Sequence, residues 1–324
     1  MAANSTPLAA SVFTQNGRAM RALWAAMTDK TLASHHILLP QGQLAPLDAA
    51  YARAQLAKRT ASLLVVAGLV IAIAAAANVA EVDLAKLWEH RGELGDYFGR
   101  TFTLDNGSGT WTNPAEWFWN LGKWSLLISQ TIAMAYVGTA LGLIFCLPLC
   151  FTASANLTAN PWARAAAKRF LELLRTVPDL VFALIFVEAF GLGPLAGVLA
   201  LALHATGALG KQFSEFVENV DMKPVEGVIA SGSGKLAAIR FGVVPQVLAG
   251  FSSYTLLRFE INVREAAVLG YVGAGGIGEK LIEAIRKFYY TDVSAILILL
   301  IAVVFLIDMG TDRLRANLAR MVGR

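Results

Sequence analysis

Residues Thr60 to Ala80 lie between Arg59 and Glu81 without a charged side chain. A helix crossing the hydrocarbon core of a bilayer needs about 20 apolar residues in succession. This run meets that length, and others like it follow. From Trp124 to Ala163 no Asp, Glu, Lys, Arg or His occurs, and Trp124 to Phe151 supplies a second span. Between Leu180 and Gly210 only Glu188 and His204 interrupt the apolar pattern. The Gly191-Leu192-Gly193-Pro194 break divides this region into helices over about 172–190 and 195–216, since Gly and Pro punctuate helices. A fifth helix starts within Phe241 to Leu257. Val293 to Ile307, bracketed by Asp292 and Asp308, forms a sixth, short enough that both its ends lie near the interfaces. Composition agrees: 56% of the 324 residues are hydrophobic and 15% are charged, against about 25% charged in a soluble domain. The reading is an all-α integral membrane protein with about six transmembrane helices. A disordered chain is excluded by this hydrophobicity, and two cysteines exclude a disulfide scaffold.

The first 60 residues lack the apolar stretch and small-residue cleavage site of a signal peptide. They hold Arg18, Arg21, Lys30, Arg53, Lys58 and Arg59 against Asp29 and Asp48, and read as a cytosolic arm, 1–60. The stretch 61–122 contains the first span and an extracytoplasmic loop. That loop carries acids such as Glu81, Asp83, Asp96 and Asp105 in excess over Lys86, Arg91 and Arg100. Arg164, Lys168 and Arg169 follow the second span, and Arg313, Arg315, Arg320 and Arg324 mark a basic tail, 313–324. Basic loops stay inside, so both termini are expected on the cytoplasmic face of the inner membrane. Trp111, Trp117, Trp119 and Trp124 are placed as an interfacial aromatic belt. The net charge of +4 and pI near 9.1 thus reflect topology, with no basic face for nucleic acid.

Several short patterns resemble active sites without their context. Gly273-Ala274-Gly275-Gly276-Ile277-Gly278 matches G-x-G-x-x-G, yet a dinucleotide site needs a preceding strand, and here two membrane helices flank it. Ser231-Gly232-Ser233-Gly234-Lys235 lacks the remaining positions of a phosphate loop, which hold Ile229 and Leu236. Ser233 with His204 raises the remote alternative of an intramembrane hydrolase. That chemistry needs the base within reach of the nucleophile, and these two fall in a polar loop and mid-helix. Cys146 and Cys150 read as packing thiols, because no further metal ligands lie nearby. No catalytic or metal residue is expected.

The loop 218–244 is too polar for lipid. Pro224 suits the first position of a short helix, with Glu226 in its first turn, and the element is expected to run over 223–236 up to Gly232, Gly234 and Lys235. Glu226, Gly232 and Pro245 fall in the register of the Glu-Ala-Ala…Gly…Ile-x-Leu-Pro coupling motif. Gly227, Val228, Gly242 and Val244 depart from it. The chain therefore resembles the permeases of binding-protein-dependent ABC importers, with the type I importer permease fold over 123–312. Leu174-Arg175-Thr176-Val177-Pro178 and the glycine-rich segment 270–278 are similar to theirs. Within that superfamily, Phe190 to Pro194, Ala196 to His204 and Tyr254 to Arg264 resemble the phosphonate permeases. The resemblance implies an ATP-driven importer working with a second permease copy, two cytoplasmic ATPases and an extracytoplasmic binding protein. It implies that ATP and Mg are bound by the partner ATPase, with no cofactor on this chain. The alternative is the same architecture for another solute: phosphite, a phosphate ester or an amino acid.

Charges inside the span starting near Gly242 stand out. Arg258, Glu260, Asn262, Arg264 and Glu265 are expected about 24 Å along it, in the outer part of a core about 30 Å thick. Charges at that depth face protein or water. Arg258, Asn262 and Glu265 share one helical face, and Glu260 and Arg264 form an i,i+4 pair. They read either as an internal packing network or as a lining for an anion path, together with Gly273, Gly275 and Gly276, whose backbone amides suit an anion. Glu188 and His204 are expected as a packing pair or as dimer contacts. Leu281, Ile282, Ile285, Phe288 and Tyr289 form one stripe of an interfacial amphipathic helix.

Overall fold

The computed structural model describes residues 41–104 and 107–322. Arg18, Arg21, Lys30, Asp105 and Arg324 lie outside them. The described residues are helical apart from turns and one isolated bridge between Thr103 and Gly109. The chain forms two units, one ending at Glu89 and one beginning at His90.

The first unit contains α1 (Gln41–Val79) and α2 (Leu84–Glu89). From Ala49 to Val79, α1 is long and apolar enough to cross a membrane. Leu63, Leu64 and Ile71 are exposed along it. The Asp83 carboxylate starts α2 by accepting from the Ala85 and Lys86 amides at 3.0 and 3.1 Å, which satisfies orphan donors of the first turn.

The second unit begins with α3 (Arg91–Thr101) and α4 (Pro114–Trp117). The long helices follow: α5 (Leu121–Ala153), α6 (Pro161–Thr176), α7 (Asp179–Phe190) and α8 (Pro194–Glu218). Then come α9 (Met222–Ala230), α10 (Lys235–Ala238), α11 (Val244–Leu269), α12 (Ile277–Arg286) and α13 (Tyr290–Val322). A π turn, Ile239–Val243, joins α10 to α11. Among the described residues, five stretches are single helices of membrane length: α1, α5, α8, the continuous Lys235–Val272, and α13.

The helix expected over 172–190 is not one of them. Val177 is extended, with ψ 122°, because a proline pushes the preceding residue out of the helical region and has no N–H to give. In its place α6 ends at Thr176 and α7 begins at Asp179, and the 12 residues of α7 reach about 18 Å.

Helix α8 is the centre, packed by α5, α6, α7 and α11. Small residues let it approach α5: a Cβ on Gly142 would stand 2.6 Å from the Ala205 Cβ. Phe213 of α8 stacks on Phe251 of α11 with centroids 3.8 Å apart. Cys146 and Cys150 are buried in the same cluster.

At one end of the bundle, Trp117 and Trp124 are buried with Ile128, Ile277 and Ile296. The Trp117 indole donates to Ser294 Oγ and that of Trp119 to Asp292 Oδ1, both at 2.9 Å. Trp117 and Trp124 are thus core residues rather than belt residues, while Trp111 and Trp119 are exposed. At the opposite end, Asn156 donates to the Val217 carbonyl at 2.7 Å and Lys168 pairs with Glu218 at 2.8 Å.

Gly142→Leu should force α5 from α8 and lower the thermal midpoint of the purified protein by a few degrees, as overpacking by about 1–3 kcal/mol does. An unchanged midpoint would mean these helices do not meet at Gly142.

Candidate functional site

Polar residues gather in two places on the second unit: the loop 218–244 and the middle of α11. In the loop, Asp221 caps α9 by accepting from the Lys223 amide at 3.0 Å. Pro224 is the third residue of α9 rather than the first, where its missing N–H is still no loss. Val225 is buried under Gly242. Gln246 clamps the base of α9: it accepts from the Asp221 amide at 3.0 Å and donates to the Asp221 and Gly242 carbonyls at 3.0 and 2.7 Å. The helix ends at Ala230, short of the expected 223–236, because the chain turns at Gly232 with φ +82°. Lys235 opens α10 instead, and Pro245 is the second residue of α11. Glu226, Pro224, Lys235 and Pro245 are all exposed. So are Ile229 and Leu236, the latter at 84%.

The charges of α11 sit deeper than the sequence suggests. Trp119 meets Asp292 at one end of the apolar run of α13, and Arg264 meets Asp308 at the other, at 3.1 Å. Asn262 gives the same depth: its amide donates to Thr139 Oγ1 at 2.7 Å. Thr139 lies about 22 Å along α5 from Trp124. These residues therefore lie near the middle of the bundle rather than toward its tryptophan end. The count from Gly242 fails because the helix begins at Lys235 and runs 38 residues. That is about 57 Å against a core of about 30 Å, so its first part projects beyond the apolar layer.

One face of α11 is tied to α13. Glu260 is 8% exposed. It pairs with Arg264, with Arg315 at 3.2 Å and with Thr311 Oγ1 at 3.3 Å. Arg315 also reaches Asp312 at 2.5 Å. Arg315 is thus partly a structural group, although its place in the chain reads as a topological charge. Arg264 is committed to two carboxylates, which favours packing for this face.

The other face meets α7 and α8. Arg258 is 6% exposed, and its Nη2 donates to Glu265 Oε2 at 2.7 Å. Asp179 opens α7 and His204 lies midway along α8. Asp179, His204 and Glu265 bring one donor atom each to within 4.8 Å of one another, and all three are half-buried. Arg258 Nε, His204 Nδ1 and Asn262 Oδ1 are buried and make no hydrogen bond among the described residues. The three-residue set has cation-sized spacing, but a dication there would be repelled by the guanidinium already on Glu265. Glu188 stands apart, exposed and about 13 Å further along α7, so it does not pair with His204. Ser233 is in the loop beside Ser231, 3.2 Å away, remote from His204 on its long helix. Asp179 and Thr139 were not singled out in the sequence, and Asp308 only as the end of the last span. Asp179 carried a signal, as an acid directly after the Val177-Pro178 break.

The glycine segment is a packed turn. Gly275 and Gly276 are buried. Gly276 has φ +80°, and a Cβ there would stand 2.6 Å from Thr131 Oγ1, which accepts from the Ile277 amide at 2.9 Å. The Gly273 amide is spent on the Gly270 carbonyl at 3.1 Å, so it is not offered to an anion. Helix α12 ends at Arg286, and Phe288 has φ 60°. Phe288 and Tyr289 therefore lie past its end and do not continue its stripe. Lys280 and Lys287 hold the Glu283 carboxyl down at about 2. An open cleft of about 470 Å³ separates α12 from Leu192 and Gly273.

Residues 147–324 match the family of binding-protein-dependent transport system inner membrane components. The chain belongs to that family. It is a multi-pass permease subunit of an ATP-driven ABC importer rather than an enzyme. It is 41% identical to the phosphite transport system permease protein of Stutzerimonas stutzeri over 60% of this chain and 71% of that one. It is 51% identical to a putative cryptic phosphonate transport system permease protein of Escherichia coli K12, over 37% of this chain and 98% of that one. The methionine ABC transporter MetNI in an inward-facing conformation shares the fold, with a TM-score of 0.56 and 20% identity over 64% of this chain and 98% of that one.

Glu260→Ala should remove the buried carboxylate shared by Arg264 and Arg315, leaving them only Asp308 and Asp312, and cost the permease about 3 kcal/mol, as removing one partner of a buried ion pair does. Asp308→Ala, at a half-exposed position, should cost less than about 1 kcal/mol. Unfolding midpoints of the two variants check this ordering.

Proposed function

We propose that this permease carries phosphonate-type oxyanions, phosphite among them, from a binding protein to the cytoplasm. The observation that carries the reading is Arg258, a buried guanidinium beside a half-open polar patch on membrane helices. Charged groups at such depth face protein or water rather than lipid. An arginine fork matches phosphate-like oxygens. The substrates in the names of the phosphite and phosphonate relatives support the same class.

An ATPase dimer requires two docking loops, and each chain has one. The working unit is then two copies of this permease, two ATPases and one binding protein, with the path between the copies along the α7–α8–α11 face. ATP and Mg belong to the ATPases. The tryptophan end faces outward, and both termini are cytoplasmic. The permease domain is 123–312, preceded by the arm 1–60 and the 61–122 stretch and followed by the tail 313–324. Closure of the ATPases moves α9, with Glu226, Pro224 and the exposed Ile229 as its contact surface, while Gly232, Lys235 and Pro245 frame it. Gln246 and Val225 pass that motion to α11.

In liposomes containing the whole complex, Arg258→Ala should reduce methylphosphonate uptake at least about tenfold, the worth of a charge-assisted hydrogen bond, while the complex still assembles. Loss of assembly would favour a packing role. Glu226→Lys should abolish uptake and permease-stimulated ATP hydrolysis together. Full coupling in that variant would remove α9 from the docking surface.

A further inference from the structure

We infer that Glu265 is a built-in stand-in for the transported anion, holding Arg258 closed until the substrate displaces it. This rests on the oxyanion reading above and adds the residue that sets how tightly the path grips its cargo. Four observations carry it. Arg258 is 6% exposed, and its one hydrogen-bond acceptor among the described residues is the Glu265 carboxylate, at 2.7 Å across two helical turns. Its Nε is buried without a partner, so the guanidinium is only partly satisfied. Arg264, the neighbouring cation, is taken up by Glu260 and Asp308 on the α13 side and is not available to cargo. Glu265 is half-buried and lies within 4.8 Å of the Asp179 and His204 donor atoms.

A carboxylate and a phosphonate compete for the same fork. Both present oxygens that accept from a guanidinium. Asp179 places a second negative charge beside Glu265, and like charges at this spacing repel in a low-dielectric site. The Arg258–Glu265 pair is therefore weaker than an isolated pair at the same depth. An arriving oxyanion exchanges one Arg258 partner for another and need not find a bare cation. When the anion leaves, Glu265 closes the fork again. Grip and release are balanced by one side chain, and a path requires this, since a site that binds too strongly does not release.

The test uses the complete complex in liposomes, with methylphosphonate as probe. E265Q removes the competing charge while keeping the shape. The concentration giving half-maximal uptake should fall roughly tenfold, the scale of one charge-assisted hydrogen bond, and the maximal rate should fall with it because release slows. In the absence of binding protein, free methylphosphonate should stimulate ATP hydrolysis by E265Q and not by wild type. E265Q/R258Q should lose both effects. A purely structural ion pair predicts otherwise: lower uptake at unchanged half-saturation and no stimulation by free methylphosphonate. That outcome overturns the inference. If E265Q fails to assemble, E265D keeps the charge but falls one methylene short of Arg258, and the same fall in half-saturation is expected. Unchanged half-saturation in E265D then overturns it. Wild-type vesicles in the same assay separate the two levels: no methylphosphonate uptake there removes the substrate reading and Glu265's role with it, whereas normal wild-type uptake leaves the substrate reading standing whatever E265Q does.

Discussion

A guanidinium within a membrane-length apolar bundle has to be answered by a carboxylate, and α11 carries two such pairs on opposite faces. Isolated charges of this kind cost several kcal/mol each. The partners are therefore not optional, and they fix which helices lie beside α11. Arg264 and Glu260 bring in α13 through Asp308, Thr311 and Arg315. Arg258 and Glu265 turn toward α7 and α8. The apolar clusters fill the remaining space, and small residues such as Gly142 and Ala205 let α8 sit close to α5.

This division separates two roles that look alike in the sequence. One pair is closed: every charge has a partner on a neighbouring helix, and the result joins α11 to α13. The other is open: three donor atoms converge at a half-exposed surface beside Arg258, which has a single carboxylate partner among the described residues. The first has the character of a fastening and the second that of a site.

The membrane helices were legible because a bilayer demands a length of apolar sequence that no other environment demands. The glycine turn before α12, the break at Gly191 to Pro194 and the short helix ahead of Gly232 were legible from local punctuation. Depth was not. It depends on where a helix leaves the apolar layer, and the first turns of the Lys235–Val272 helix carry enough hydrophobic residues to pass for membrane. The partners of Glu260 on α13 were not legible either. Thr311 and Arg315 are 51 and 55 positions away along the chain, and nothing local marks them. The tryptophans misled for a related reason: a buried indole with a hydrogen-bond partner and an interfacial one have the same local sequence signature.

The proline at position 178 has a mechanical consequence. It removes a hydrogen bond at the junction of α6 and α7, so the two segments are joined by a pivot rather than a continuous rod. Asp179 is the first residue beyond that pivot. A tilt of α7 swings its far end at Phe190 through a wide arc but moves Asp179 very little. The negative charge beside Glu265 thus sits at the fulcrum, and a tilt displaces mainly the part of the helix toward the tryptophan end.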